Sequence, residues 1–175
     1  ILSLRKWNPA ELWPDVSTNT LLVTNYEWLS PYLENIKKPH ELKKINLLHV
    51  LNAYHFDFNK QELLKKLVPT HIEVPSGSLI ELEYFKDGAA PILKVRLQEV
   101  FGMLTTPLVN NGEMSVLIHL LTPGYKLAQI TSDMRSFWND TYFEVKKELK
   151  RRYPKHYWPE DPLTAVAVKG VKRNS

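Results

Sequence analysis

Cysteine is absent from these 175 residues. No disulfide and no thiolate metal site can form, a composition that fits a reducing compartment. Glycine is scarce, at 6. A phosphate cradle of the GxxxxGK[ST] kind needs glycines at fixed spacing followed by Lys and a hydroxyl residue, and none occurs. The "SGS" at 76–78 has neither the spacing nor the lysine and reads as a turn between strands. No GxSxG nucleophile elbow is present either. No apolar run approaches the ~20 residues that span a bilayer, so no membrane partner is expected. The opening ILSLRKWNPAELWPD has no apolar stretch ahead of a small-residue cleavage site, so no secretory signal is read. The start at Ile1, without Met, fits either a piece of a longer chain or a processed one.

Metal chemistry is equally poorly supplied. The six histidines (His40, His49, His55, His71, His119, His156) include no pair at i, i+3 or i+4. "HELKK" at 40–44 lacks the second His of HExxH. "HIE" at 71–73 resembles the H-x-E of zinc deaminases, whose PCxxC partner cannot exist in a chain without Cys. His119, inside an apolar run, reads as a core or interface residue. Carboxylates are frequent, but nothing in the sequence selects a pair at acid–base distance.

What is present is an ordinary folding composition, 43% hydrophobic and 24% charged, with an uneven distribution of charge. Residues 1–145 hold 14 Lys/Arg against 16 Asp/Glu, whereas residues 146–175 hold 9 against 3. A slightly acidic body thus carries a basic C-terminal stretch, the pattern of a face that meets a polyanion.

The periodicity predicts an α+β chain that changes rhythm near residue 69. Leu22, Tyr26, Leu29, Leu33 and Ile36 form an amphipathic stripe, with Pro31 starting a new turn or kinking the helix. A second helix is expected over Glu41 to about Ala53, and a third from Asn59, where Glu62 completes a capping-box-like pair. From Pro69 the period becomes two. "LIELEYF" reads as a half-buried strand after the PSGS turn, with a hairpin signal at Asp87-Gly88. "ILKVRLQEVFG" suits a strand or a helix ended by Gly102. "VLIHLL", "TPGY" and "KLAQIT" read as strand, turn and hairpin partner. A long amphipathic helix is expected from Ser132 or Asp133 to about Arg152. Met134, Trp138, Tyr142, Val145, Leu149 and Tyr153 form its apolar face, and Lys146, Lys147, Lys150 and Arg151 fall opposite within an arc of about 140°. Pro154, Pro159 and Pro162 stop any continuation.

The candidate nucleic-acid-binding residues are therefore Lys146, Lys147, Lys150, Arg151, Arg152 and Lys155 for phosphates, with Tyr157 and Trp158 for bases. A purely structural alternative stands beside them. Cations near a helix C-terminus complement its dipole by ~0.3–1 kcal/mol each. Pairs such as Glu144–Lys147, Glu148–Arg151 and Glu148–Arg152 have helical spacing.

Several strings also carry a resemblance: LVPTHIEVPSGSLIELEY, ILKVRLQEVFG, HLLTPGYKLAQIT, FWNDTYFEVKKELKRRYPKHYWPEDPL and, upstream, LWPDVST and WLSPYL. They are similar to the C-terminal region of the bacterial DEAH-box ATP-dependent RNA helicases of the HrpB family. The resemblance implies an accessory region of a cytoplasmic helicase whose motor domains, with ATP and Mg2+, lie N-terminal to Ile1. The chain itself would then carry no cofactor and no catalytic residue. It implies a helical segment at 1–68, resembling the end of a helical bundle, and a C-terminal-type α+β domain at 69–175, with an OB-like sheet as the analogy for 69–131. The implied partners are RNA or another single-stranded nucleic acid, and the motor domains of the same chain. The alternative role is a protein-interaction or regulatory module that docks on the motor or on a partner.

Overall fold

The computed structural model describes residues 1–170, so Lys172 and Arg173, part of the basic excess, lie outside the described residues. The chain forms two compact units. One holds residues 1–68 with 86–88, and the other residues 69–85 and 89 onward.

The first unit is helical: α1 (Leu2–Trp7), α2 (Thr18–Val23), α3 (Asn25–Leu33), a 3-10 turn (Pro39–Lys44), α4 (Leu47–His55) and α5 (Phe58–Leu67). Its core is small, with Leu4, Trp13, Phe56 and Leu67 buried and Ile1, Trp7, Leu64 and Val68 packed around them. Three boundaries differ from expectation, each for a local reason. The first helical stretch breaks at Thr24, and Pro31 sits inside α3. The Thr24 hydroxyl donates to the carbonyl of Thr20 (2.9 Å), a back-bond that competes with helix continuation. The second helix is split, because Ile45 is extended and the Asn46 side chain starts α4 by accepting from the amide of His49. The third begins at Phe58, capped by Asp57, whose carboxylate accepts from the amide of Lys60 (2.7 Å). Glu62 pairs with Lys65 instead.

The second unit is built on a five-stranded sheet of β1 (His71–Glu73), β2 (Leu79–Glu83), β3 (Ile92–Arg96), β6 (Leu117–Leu121) and β7 (Leu127–Thr131), in that spatial order. A two-stranded ribbon of β4 (Leu108–Val109) and β5 (Met114–Ser115) lies within the β3–β6 connection. All pairings are antiparallel except β3 with β6. A parallel pair needs a crossover, and residues 97–116 supply it. "ILKVRLQEVFG" thus contains a strand followed by a 3-10 turn at Leu97–Glu99. The order leaves β1 and β7 as edges, an open mixed sheet with no closed barrel among the described residues.

Alternation decides the faces. Leu93 and Val95 of β3 and Ile118 and Leu120 of β6 point into the core, whereas Lys94 and His119, partners in the parallel register, point away. After the sheet come α6 (Met134–Ser136), a π turn (Phe137–Thr141) and α7 (Tyr142–Arg152), whose Met134, Phe137, Trp138, Tyr142 and Leu149 are buried. Asp133 caps α6 by accepting from the amides of Arg135 and Ser136. Phe137, Trp138 and Tyr142 are each at most 2% exposed and form, with Phe101, a cluster of edge-on and tilted rings. The Trp138 indole donates to the carbonyl of Met103 (2.7 Å).

The β6–β7 hairpin closes through Thr122, whose amide donates to Lys126 O (2.7 Å) and whose hydroxyl accepts from the Lys126 amide (3.1 Å). In the Pro123-Gly124-Tyr125 loop it is Tyr125, not the glycine, that has positive φ, at 61°. For a residue with a Cβ this costs ~1–2 kcal/mol. Gly124 answers a different constraint, since a Cβ there would lie 3.0 Å from the Tyr153 hydroxyl, a tight contact.

Candidate nucleic-acid interface

On α7, Tyr142 and Leu149 face the core, and Lys147, Lys150 and Arg151 face out. At 100° per residue those three fall within about 100° of one another. Among the described residues none of them is in an ion pair, nor is Lys155. Arg152 is exposed and joined to Glu148 at 3.2 Å across one turn. The helix ends at Tyr153, whose amide still bonds Leu149 O, and exposed Lys155 follows in the extended segment.

Two candidates lie elsewhere than their spacing suggests. Lys146 is only 7% exposed, and its ammonium sits 2.6 Å from the carboxylate of Glu160. Trp158 is 7% exposed and donates its indole N–H to the carbonyl of Tyr153 (2.9 Å). Tyr157 is half-buried, edge-on to Phe101 at 6.0 Å. The cause is the proline-rich segment after α7, which folds back along it. The buried Tyr142 hydroxyl donates to Pro159 O (2.9 Å), Gly102 N donates to Pro162 O (2.8 Å) and Val168 N to Gln98 O (2.9 Å). A helical wheel treats the flank of Lys146 as open, but in the folded chain this strap covers it. The ammonium beside Glu160 holds that carboxyl below its usual range, with Lys150 adding to the effect. Burial pushes the Tyr142 phenol up.

The remaining face is continuous with features that the sequence reading did not single out. A groove of about 580 Å³ runs between β7 and α7, lined by Gln129, Glu144, Lys147, Glu148 and Arg151. Its rim carries both signs of charge, with cations toward the C-terminal end of the helix. There the Tyr153 hydroxyl donates to Thr122 Oγ1 (3.3 Å), which ties the tip of the β6–β7 hairpin to the end of α7. The hairpin brings Tyr125, 68% exposed, with the Arg96 guanidinium 5.1 Å from its ring centre. The available signal was a bulky aromatic directly after Pro-Gly. Among the described residues no three His, Asp or Glu side chains converge to hold a metal ion, and no helix is long and apolar enough to cross a membrane.

The unit is an α+β domain with a basic helix near its end, and the sequence holds no phosphate-binding loop. The profile described as "ATP-dependent helicase C-terminal" matches residues 28–162, and the chain belongs to this family. Over all 175 residues it is 37% identical to the ATP-dependent RNA helicase HrpB of Escherichia coli (strain K12), covering 21% of that protein. A crystal structure of the E. coli DExH-box NTPase HrpB superimposes with a TM-score of 0.85, over 95% of this chain and 20% of the other, at 37% identity. A second, of the E. coli DEAH/RHA helicase HrpB, gives 0.71 over 90% and 20%, also at 37% identity. The chain spans about a fifth of the length of these relatives.

Proposed function

We propose that this chain is the accessory C-terminal region of a cytoplasmic ATP-dependent RNA helicase, and that α7 adds phosphate contacts to the helicase's hold on single-stranded nucleic acid. The observation that carries the proposal is the group of exposed, unpaired cations Lys147, Lys150 and Arg151, extended by Arg152 and Lys155. Lys146 is left out, because Glu160 already neutralises it. The interaction is with the backbone and therefore largely independent of sequence and sensitive to salt. ATP and Mg2+ belong to the motor domains in this scheme. The present residues offer no phosphate loop for them, so the contribution is grip rather than chemistry.

The test is binding of a labelled single-stranded RNA across a salt series, beside the Lys147→Glu, Lys150→Glu, Arg151→Glu triple variant. Three phosphate contacts predict a log–log salt slope near −2, at about −0.7 per contact, abolished in the variant. Absence of binding by the wild-type chain at low salt, or an unchanged variant, would overturn the proposal.

A second role is favoured by the helical unit. Leu22, Val23, Tyr26, Leu48 and Phe58, on α2 to α5, are each more than 60% exposed. This surface docks on the motor domains of the same helicase chain. Separately produced motor domains should bind the chain in trans, and Tyr26→Asp with Leu48→Asp should abolish that binding.

A further inference from the structure

The β6–β7 hairpin distributes its residues against ordinary turn chemistry. A three-residue loop ending in a left-handed position normally places glycine there. Here Gly124 occupies the preceding position, where a Cβ would sit tightly against the Tyr153 hydroxyl, and the left-handed position falls to Tyr125. Burial does not offset the strain, since the side chain is 68% exposed. A strained, exposed aromatic is the kind of residue that function retains.

The ring is also backed by a held cation. Arg96 donates from Nε to Glu99 Oε1 (2.8 Å) and from Nη2 to the carbonyl of Lys169, which fixes its guanidinium beside the Tyr125 ring. The result is a flat surface already fixed in place. Through the Tyr153–Thr122 bond it stands next to the last turn of α7, which carries Lys150, Arg151 and Arg152, and exposed Lys126 follows it directly.

We propose that Tyr125, backed by Arg96, is a stacking platform for an unpaired base of single-stranded nucleic acid whose phosphates lie on α7. The inference rests on the phosphate contact of α7 proposed above and adds the base-contacting residue. Stacking on an aromatic needs a splayed base, so single strands are bound in preference to duplex.

The experiment uses fluorescence anisotropy with a labelled RNA of about 12 nucleotides, within the usual site sizes for single-strand binders. An abasic ribose-phosphate strand of the same length and an RNA duplex serve as further probes. Tyr125→Gly should weaken binding of the base-bearing strand by about 5- to 100-fold and leave the abasic strand unaffected. Tyr125→Leu, which keeps the backbone strain but has no π face, should behave like the glycine variant, and Tyr125→Phe like wild type. The urea midpoint of Tyr125→Gly should equal or exceed that of wild type, because glycine suits the left-handed backbone. Glycine and leucine variants within about twofold of wild type on the base-bearing strand would overturn the platform. In that case, loss of binding in the α7 triple variant leaves the phosphate contact standing. A wild-type chain that binds neither strand would overturn both.

Discussion

The ion pair between Lys146 and Glu160 is lopsided, and that asymmetry supports a sharp prediction. The lysine side chain is 9% exposed and the glutamate side chain 85%, with 2.6 Å between their charged atoms. Lys146→Met removes a cation from a site poor in water, and the carboxylate left behind is free to rehydrate. Replacing buried charge by an apolar side chain is often neutral, so the stability change should stay within about 1 kcal/mol. Glu160→Gln is the more damaging substitution, because it leaves a shielded ammonium without its counter-charge. Urea denaturation followed by tryptophan fluorescence reads this order directly. The same variants separate structure from function. Lys150→Met should make the salt slope of RNA binding shallower by about 0.7, the share of one phosphate, whereas Lys146→Met should leave it unchanged. Two results would refute the reasoning: a Lys146→Met chain that is less stable than Glu160→Gln, or one whose salt slope drops as far as that of Lys150→Met.

Other perturbations test separate parts of the fold. Asp57→Ala removes the cap of α5 and should cost about 1 kcal/mol, seen as faster hydrogen exchange in the first turn of that helix. Trp138→Ala empties the aromatic cluster and orphans the Met103 carbonyl, for an expected loss of about 3–5 kcal/mol in urea titration. Burial alone would raise the Glu99 carboxyl, but bonds from Ser78, Arg96 and Ser76, with the charge of Arg96, bring it below its ordinary 4.5. A carboxyl depressed on folding contributes stability that is complete above the unfolded value and lost as pH falls through the folded one. The unfolding midpoint should therefore drop on acidification below 4.5, and Glu99→Gln should flatten that decline.

Much of the sheet was legible because period-two alternation is a local property. β2 stands where alternating residues place it, and the β6–β7 hairpin where an apolar run, a Pro-Gly turn and a partner segment mark it. The helical unit was harder. The expected stripe of Leu22 and Tyr26 is exposed at 64% and 81%, since apolar spacing records which face can be buried and not whether anything in these residues covers it. The sequence pattern places the start of the third helix at Asn59 with Glu62, whereas the structure caps it with Asp57. At the candidate interface, the outward positions of Lys147, Lys150 and Arg151 follow from helical geometry alone. The burial of Lys146 and Trp158 does not, because it depends on a return of the chain across the helix. Tyr125 escaped notice for a similar reason, since its contacts with Arg96 and, through Thr122, with Tyr153 join residues distant in the sequence.

That return has a biosynthetic consequence. Synthesis proceeds from the N-terminus, so α7 and the sheet leave the ribosome before the residues that cover them. Until Pro159, Pro162 and Val168 arrive, Tyr142 has no acceptor for its hydroxyl, and the amide of Gly102 and the carbonyl of Gln98 lack these partners. A product that stops at Tyr153 would keep every strand and helix described for the unit, yet leave its aromatic cluster without this cover. The strap through Pro159, Pro162 and Val168 thus separates a chain that has reached it from one that stops before it, in exposed apolar surface as well as in length.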